Sequence, residues 1–189
     1  MSAGAIRIAA ALAEREHALI GTSLRYSRGV NTLPDKLGAL GAAVSAFAAA
    51  NVSYALIGGL AVGVRSGIPR ATLDIDFAVS TKTDLEELVG RLTSAGFTLS
   101  GRFAHSINFK HSSGEPLQLA FDPSFDTMVA RAEALSFGEL TLFVVTKEDL
   151  IAMKRRAASD PGRRRSKALR DQADIALLEG DAPDPDEGW

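Results

Sequence analysis

The sequence predicts a mixed α/β domain with a short central sheet and helices on both of its sides. Apolar residues make up 46% and charged residues 23% of the 189 residues, which is an ordinary soluble globular composition. Segments whose apolar residues recur at helical spacing alternate along the chain with short segments in which apolar and polar residues alternate. This succession is typical of a sheet covered by helices, and the length suits one domain with additions.

The two ends of the chain differ in character from its centre. Residues 1–34 are predicted to form an N-terminal helical extension, with an alanine-rich amphipathic helix from Ala3 to Leu19 and a linker from Gly21 to Pro34. We expect the helix to pack against the body of the protein or against a second subunit, which would give a homo-oligomer. Residues 180–189 are rich in Pro, Asp and Gly and are predicted to form a disordered acidic tail. The domain itself is therefore predicted over residues 35–179.

Composition also restricts the location of the protein and the kinds of site it can contain. The chain has no cysteine, which excludes disulfides and thiolate metal sites. No apolar run approaches the ~20 residues needed to span a bilayer, and charged residues interrupt the alanine-rich N-terminus, unlike a secretory signal. We therefore expect a cytoplasmic protein without a membrane partner. The net charge of −2 gives no global attraction to nucleic acid, so any polyanion must bind locally.

The first helix and strand of the predicted domain lead to a pair of glycines. Lys36 to Ala50 is predicted to be a helix because its apolar residues recur at helical spacing. Val52 to Ile57 is the first predicted strand, and Gly58-Gly59 follows at its carboxyl end, before a helix-like apolar segment. Backbone N–H groups at the start of a helix bind phosphate readily.

The next strand carries two acidic side chains. From Leu73 to Val79 apolar and other residues alternate, which places Asp74 and Asp76 on one face and the apolar residues on the other. The Cα atoms of the two aspartates would then lie roughly 7 Å apart. Adjacent carboxylates are electrostatically costly unless a cation lies between them, and hard oxygen ligands suit Mg²⁺ or Mn²⁺.

Together these residues resemble the nucleotidyltransferase superfamily, which shares the catalytic core of the DNA-polymerase-beta type. The likeness is closer to small bacterial nucleotidyltransferases, including toxins of abortive-infection and toxin–antitoxin systems. The residues that match are Gly58, Gly59, Ala61, Gly67, Arg70, Thr72, Asp74 and Asp76. In an alternative interpretation the glycines form a simple strand-to-helix turn and the aspartates a solvated strand face. That alternative leaves the ordered set of residues unexplained.

The resemblance implies a reaction and a set of site residues. An NMP would be transferred from an NTP to an acceptor hydroxyl, with release of pyrophosphate. Asp74 and Asp76 would be catalytic and would hold Mg²⁺ (or Mn²⁺). Contacts to the nucleotide are implied for Gly58, Gly59, Arg70, Thr72, Lys154, Arg170 and Asp171.

The C-terminal part of the predicted domain supplies the last of these residues. Asp126 to Ala134 is predicted to be a helix and Leu140 to Val145 a strand, and a further helix contains Lys154. The last predicted helix, Arg163 to Leu178, contains Arg170-Asp171 and Asp174, which match a family pattern of a basic residue followed by Asp-x-x-Asp. Alternatively this segment is a solvated basic face in which Arg170 and Asp174 pair at i,i+4. Arg163, Arg164 and Arg165 are assigned to solvent or to nonspecific RNA contact.

One position departs from the family pattern. A third carboxylate is expected on the strand from Leu117 to Phe121, but Gln118 occupies its place. Glutamine cannot accept a proton or provide an anionic ligand. Asp122 lies roughly 13 Å further along the strand, and Glu115 points to the opposite face unless a bulge intervenes.

The functional prediction therefore keeps two alternatives. The first is a metal-dependent nucleotidyltransferase acting on an RNA (tRNA ends included) or protein hydroxyl, with a toxin role beside a cognate antitoxin. The second is a nucleotide- or partner-binding protein that keeps the fold but is catalytically impaired because of Gln118. A purely structural dimer built on the N-terminal helix is a third interpretation.

Overall fold

The computed structural model describes residues 35–137 and 140–181. The predicted N-terminal helix, the linker and most of the acidic tail lie outside the described residues. In chain order the described elements are α1 (Lys36–Ala49), β1 (Tyr54–Ile57), α2 (Gly58–Ser66), β2 (Ile75–Val79), α3 (Leu85–Ser94), β3 (Phe97–Phe103), β4 (Ser106–His111), β5 (Pro116–Ala120), a 3₁₀ turn (Pro123–Phe125), α4 (Asp126–Ala130), β6 (Glu133–Phe137), β7 (Leu140–Val144), α5 (Lys147–Ala158) and α6 (Arg165–Glu179).

The strands of the described part form one mixed sheet in the order β3-β4-β5-β2-β1-β7-β6. In its centre, β1 is antiparallel to β2 and parallel to β7, while β2 is parallel to β5. The remaining neighbours are antiparallel. As a result the carboxyl end of β1 lies beside the amino end of β2, where the two aspartates are. Among the described helices, none is long and apolar enough to cross a membrane.

The two faces of the central strands have different neighbours. Ile75, Phe77 and Val79 of β2 are fully buried, and the ring of Phe77 lies 4.9 Å from that of Phe47 on α1, centroid to centroid. Asp76 points to the opposite face, where α5 and α6 pack. Helices therefore cover both sides of the sheet, as the sequence predicts, and the polar face of β2 lies under α5 and α6.

Two of the predicted element boundaries were wrong. Leu73 is not part of β2: its side chain is 72% exposed, and pairing with β5 begins only at Ile75 opposite Leu117. The helix predicted from Asp126 to Ala134 ends at Ala130, and Glu133–Phe137 forms β6 instead. This strand pairs antiparallel with β7, whose outer edge would otherwise stay unpaired. The hydrogen bonds to β7 therefore decide the conformation of Glu133–Phe137, and the local helical pattern does not.

Candidate active site

The junction of β1 and α2 places backbone donors at one end of a cleft. Strand β1 ends at Ile57 and α2 begins at Gly58, with no side-chain cap for its first N–H groups. Gly58 has a positive φ of 69°, and a Cβ at this position would overlap the carboxylate of Asp76. A Cβ on Gly59 would lie 2.8 Å from the Cβ of Thr72. Both glycines are therefore required by the close approach of Asp76 and Thr72, and the uncapped N–H groups remain available to an anion.

The two aspartates share this end of the cleft. Asp76 lies in β2 opposite Ile57, whereas Asp74 lies just before the strand and is exposed. Burial, and to a smaller extent the negative charge of Asp74, raise the pKa of Asp76 to about 6, although Lys154 lowers it. The pKa is raised mainly because burial removes water from the ionised carboxylate. This electrostatic situation favours a cation between the two carboxylates.

Gln118 lies directly beside Asp76. The parallel register pairs Asp76 with Gln118, and the next strand pairs Gln118 with Asn108. The amide of Gln118 donates a hydrogen bond of 3.2 Å to Oδ1 of Asn108. The position at which the resemblance expects a third carboxylate is thus occupied by an amide. Within the described ranges no group of three or more His, Cys, Asp or Glu side chains could hold a metal ion.

Neither of the carboxylates considered as a replacement for Gln118 lines the cleft. Glu115 is buried and forms an ion pair with Lys36. Asp122 accepts a hydrogen bond of 2.9 Å from the backbone N–H of Ser124 and lies 3.5 Å from Nδ1 of His105. Each is engaged elsewhere, so the acidic part of the cleft consists of Asp74 and Asp76 with Gln118 beside them.

Two buried carboxylates of α6 hold three cations in the cleft wall. Nζ of Lys154 on α5 donates to Asp171 at 2.9 Å and to Asp174 at 2.7 Å. Arg163 donates to Asp171 at 2.7 Å, and Nε of Arg70 donates to Asp174 at 2.5 Å. Asp171 and Asp174 are 2% and 1% exposed, and each is compensated by cations on both sides. Asp174 therefore pairs with Arg70 and Lys154, in contrast to the predicted i,i+4 alternative with Arg170.

All of the predicted site residues line one open cleft of about 440 Å³. They are Gly58, Gly59, Arg70, Thr72, Asp74, Asp76, Lys154, Arg170 and Asp171. Segments far apart in the sequence meet here: the start of α2, the loop before β2, and helices α5 and α6. The cleft is acidic at Asp74 and Asp76 and basic on the side of α5 and α6, which is an arrangement suited to a metal-bound polyphosphate.

Sequence reasoning missed several residues of this cleft. Arg163, for which the sequence predicts solvent or nonspecific RNA contact, lines the cleft and pairs with Asp171. Lys167, in the first turn of α6, also lines the cleft. Phe125, Met153 and Ala157 supply an apolar part of the lining. None of these residues belongs to a recognisable motif. The basic run at the start of α6 was the available signal, but a run of arginines alone does not indicate which side chain turns inward.

A further missed residue is Lys36, at the start of α1. Its ammonium group forms a buried ion pair with Glu115 and donates a hydrogen bond of 2.8 Å to the backbone carbonyl of Leu73. Asp74 follows immediately and precedes the first ladder pair of β2. Lys36 therefore holds in place the backbone that carries Asp74, and its charge also lowers the pKa of Asp76. A lysine within a helix gives no sequence signal of such a role.

Residues 42–187 match the family model described as "Nucleotidyl transferase AbiEii toxin, Type IV TA system". The chain belongs to this family. The match covers most of the chain, from α1 through α6, and includes the glycine pair, both aspartates and the lysine and acidic residues of α5 and α6. The predicted membership of a toxin-like nucleotidyltransferase family is thereby confirmed.

Solved structures share the fold of this AbiEii-family chain. The lincomycin-bound lincosamide antibiotic adenylyltransferase LnuA is 16% identical, with a TM-score of 0.58 over 78% of this chain and 98% of that protein. The antibiotic-resistance factor ANT(2'')-Ia is 16% identical, with a TM-score of 0.56 over 76% and 83% of the respective chains. An antigenic nucleotidyltransferase-like protein from Paracoccidioides brasiliensis is 21% identical, with a TM-score of 0.50 over 77% of each chain. At these identities the likeness establishes the nucleotidyltransferase fold alone. No curated protein matches the chain significantly.

Proposed function

We propose that this AbiEii-family protein is a metal-dependent nucleotidyltransferase that moves an NMP from an NTP to an acceptor hydroxyl. The observation that carries the proposal is the convergence, in one cleft, of an uncapped helix start and the adjacent aspartate pair. The cations held by Asp171 and Asp174 form the opposite wall. Each of the three features serves a different part of a magnesium–triphosphate complex.

Mg²⁺ or Mn²⁺ fits the donor set of the acidic end. Asp74 and Asp76 are the residues that would hold it, because both are hard oxygen donors and a cation would offset the repulsion that helps to raise the pKa of Asp76. When bound, the metal supplies positive charge that offsets the charge of the triphosphate and of the displacement transition state. With two protein carboxylates, the remaining ligands would come from the nucleotide and from water.

The chain's own residues bind and orient the triphosphate. The first N–H groups of α2, at Gly58 and Gly59, would hold a phosphate, since they lack a side-chain cap. Lys154 and Arg70 would offset the negative charge that accumulates on the leaving pyrophosphate. Asp171 and Asp174 hold these two cations in place before the nucleotide arrives, so their assigned role is positioning. Thr72 and Arg170 would complete the nucleotide contacts from the rim of the cleft.

In the transfer step the acceptor oxygen bonds to the α-phosphorus, and the bond from that phosphorus to the bridging oxygen breaks, which releases pyrophosphate. The hydroxyl proton must leave the acceptor, and Gln118 cannot take it. General-base assistance is typically worth about 10²–10⁴-fold. We therefore expect slow transfer, with the proton passing to water.

The acceptor that best fits the charge distribution is RNA. The segment that leads into α6 and the first turns of this helix are strongly basic, with Arg163, Lys167 and Arg170 lining the cleft, although the chain as a whole carries a net charge of −2. Such local positive charge favours a polyanion over a protein side chain. The family name further supports a toxin role beside an antitoxin. The cytoplasmic location stays a prediction. The homo-oligomer formed through the N-terminal helix stays a prediction.

A second function, nucleotide or partner binding without catalysis, is favoured by one observation, the amide of Gln118 beside Asp76. The two functions differ in whether NMP is transferred, and they agree on nucleotide binding.

The proposed site is tested by thermal unfolding with and without Mg²⁺ plus each of the four NTPs. A ligand that binds only the folded state raises Tm, so the wild type should be stabilised and Asp76→Asn should not. Asp126→Asn is the matched control, because Asp126 binds Thr81 away from the cleft and should leave the ligand-induced rise intact. Equal rises in wild type and Asp76→Asn would refute the metal site. Radiolabelled NTP incubated with RNA or with protein then identifies the acceptor by which fraction becomes labelled.

A further inference from the structure

A second recess, with a largely apolar surface, adjoins the cleft that is proposed to bind phosphate. This recess of about 450 Å³ lies between the 3₁₀ turn and the C-terminal half of α5. Phe125, Met153 and Ala157 line both the cleft and the recess. The other residues that line the recess are polar and do not line the cleft: Ser124, Arg156, Ser159 and Asp160. The combined cavity is therefore polar where the aspartates and cations lie and apolar, with a polar edge, at its other end.

The local structure fixes the position of the aromatic ring. Phe125 ends the 3₁₀ turn, in which Pro123 limits the backbone and the N–H of Phe125 donates to the carbonyl of Asp122 at 2.9 Å. Its side chain is half-buried and packs against the core. The ring thus forms a defined wall of the recess.

Helix α5 links the recess to the phosphate end. Met153 and Ala157 are one turn apart and lie on the same face of the helix, which lines the recess. Lys154, next to Met153, instead turns towards Asp171 and Asp174. A single turn of α5 therefore provides a cation for phosphate on one side and an apolar surface on the other, so one molecule can contact both.

We propose that this recess binds the nucleobase of the NTP, with the ring of Phe125 as its stacking surface. A base has flat apolar faces and a polar edge, which matches a lining that combines Phe125, Met153 and Ala157 with polar side chains. The base is joined covalently to the triphosphate, and this explains why the recess and the cleft share lining residues. The inference rests on the proposed function, because it assumes that the polar end of the cavity binds the triphosphate.

The test compares the binding of NTP–Mg²⁺ and of inorganic tripolyphosphate–Mg²⁺ by titration calorimetry. Phe125→Ala should weaken NTP binding roughly 10-fold or more, the scale at which loss of a stacking ring acts, and leave tripolyphosphate binding unchanged. Phe103→Ala is the control, since this exposed ring of β3 lines neither the cleft nor the recess. It should leave both affinities at the wild-type level.

A second variant covers the case in which Phe125→Ala fails to fold. Ala157→Trp fills the recess, and it should likewise lower the affinity for NTP without changing that for tripolyphosphate. Wild-type NTP affinity in either folded variant, or an equal loss for both ligands, would overturn the assignment. A change confined to the KM for an RNA acceptor would also overturn it, by assigning the recess to the acceptor. If the wild type binds neither ligand, the proposed function itself has failed.

Discussion

Replacing Asp76 by asparagine is expected to stabilise the metal-free protein at neutral pH. Asp76 is a half-buried carboxylate whose pKa is raised to about 6, by the loss of water around it first and by the charge of Asp74 second. In the unfolded chain it titrates near the ordinary value of 3.8. Between these two values the folded protein binds a proton that the unfolded chain does not, so folding stability falls as pH rises from about 4 to about 6 and stays reduced above it. Asparagine carries no charge and avoids this loss.

The difference between the two pKa values lowers the free energy of unfolding by about 3 kcal/mol above pH 6, at 1.36 kcal/mol for each pH unit. This is an upper value for the gain, because a buried asparagine retains part of the burial cost of a polar group. For a protein of this size, 1 kcal/mol shifts Tm by about 2–4 °C, so Asp76→Asn should raise Tm by roughly 3–10 °C at pH 7.5. The advantage over wild type should shrink towards zero near pH 4.

The assay is thermal unfolding followed by circular dichroism in EDTA, with wild type and Asp76→Asn compared at several pH values from 4 to 7.5. Groups that do not interact with Asp76 contribute equally in both proteins, so the difference in Tm reports on Asp76 and on the charges next to it. A difference that is independent of pH, or a variant less stable than wild type at pH 7.5, would refute the electrostatic reasoning. Adding Mg²⁺ and NTP should reverse the order, because only the wild type keeps the full ligand set.

The remaining predictions concern the neighbouring polar residues. Gln118→Glu introduces a carboxylate beside Asp76 and should speed NMP transfer to RNA by about 10²-fold or more in a radiolabel assay. Asn108→Asp, which places the carboxylate one strand further from Asp76, is the control and should not change the rate. Equal rates in wild type and Gln118→Glu would assign the proton transfer to another group. Lys154→Ala should weaken NTP binding and also lower Tm, because the Lys154 side chain is only 14% exposed and its loss leaves Asp171 and Asp174 less compensated. Arg155→Ala is the control for that variant, because Arg155 pairs with the exposed Glu179 and its loss should change neither quantity. Unchanged NTP affinity in Lys154→Ala would place the lysine outside the nucleotide site.

The sequence indicated which residues line the cleft, because the motif that they form depends on local spacing. Gly58 and Gly59 follow a strand directly, and the alternation around Asp76 sets which face it occupies, so these features can be read without tertiary contacts. The prediction of a helix from Asp126 to Ala134 was wrong because the structure of its last residues depends on a tertiary contact. Glu133–Phe137 becomes β6 only because β7 offers it a ladder partner, and that partner is recognised only in three dimensions.

The sequence by itself determined the family, the fold class, the glycine–aspartate motif and the absence of a carboxylate at position 118. Only the tertiary structure decided which charged residues meet. Parity along the chain showed that Gln118 and Asp76 lie on polar faces of two strands, but the parallel register of β2 and β5 made them neighbours. Likewise Lys154 joins Asp171 and Asp174, and Lys36 reaches the carbonyl before Asp74, over separations of 17 or more residues. Such contacts depend on how elements pack, because one-dimensional periodicity specifies the face a side chain occupies and leaves its partner undetermined.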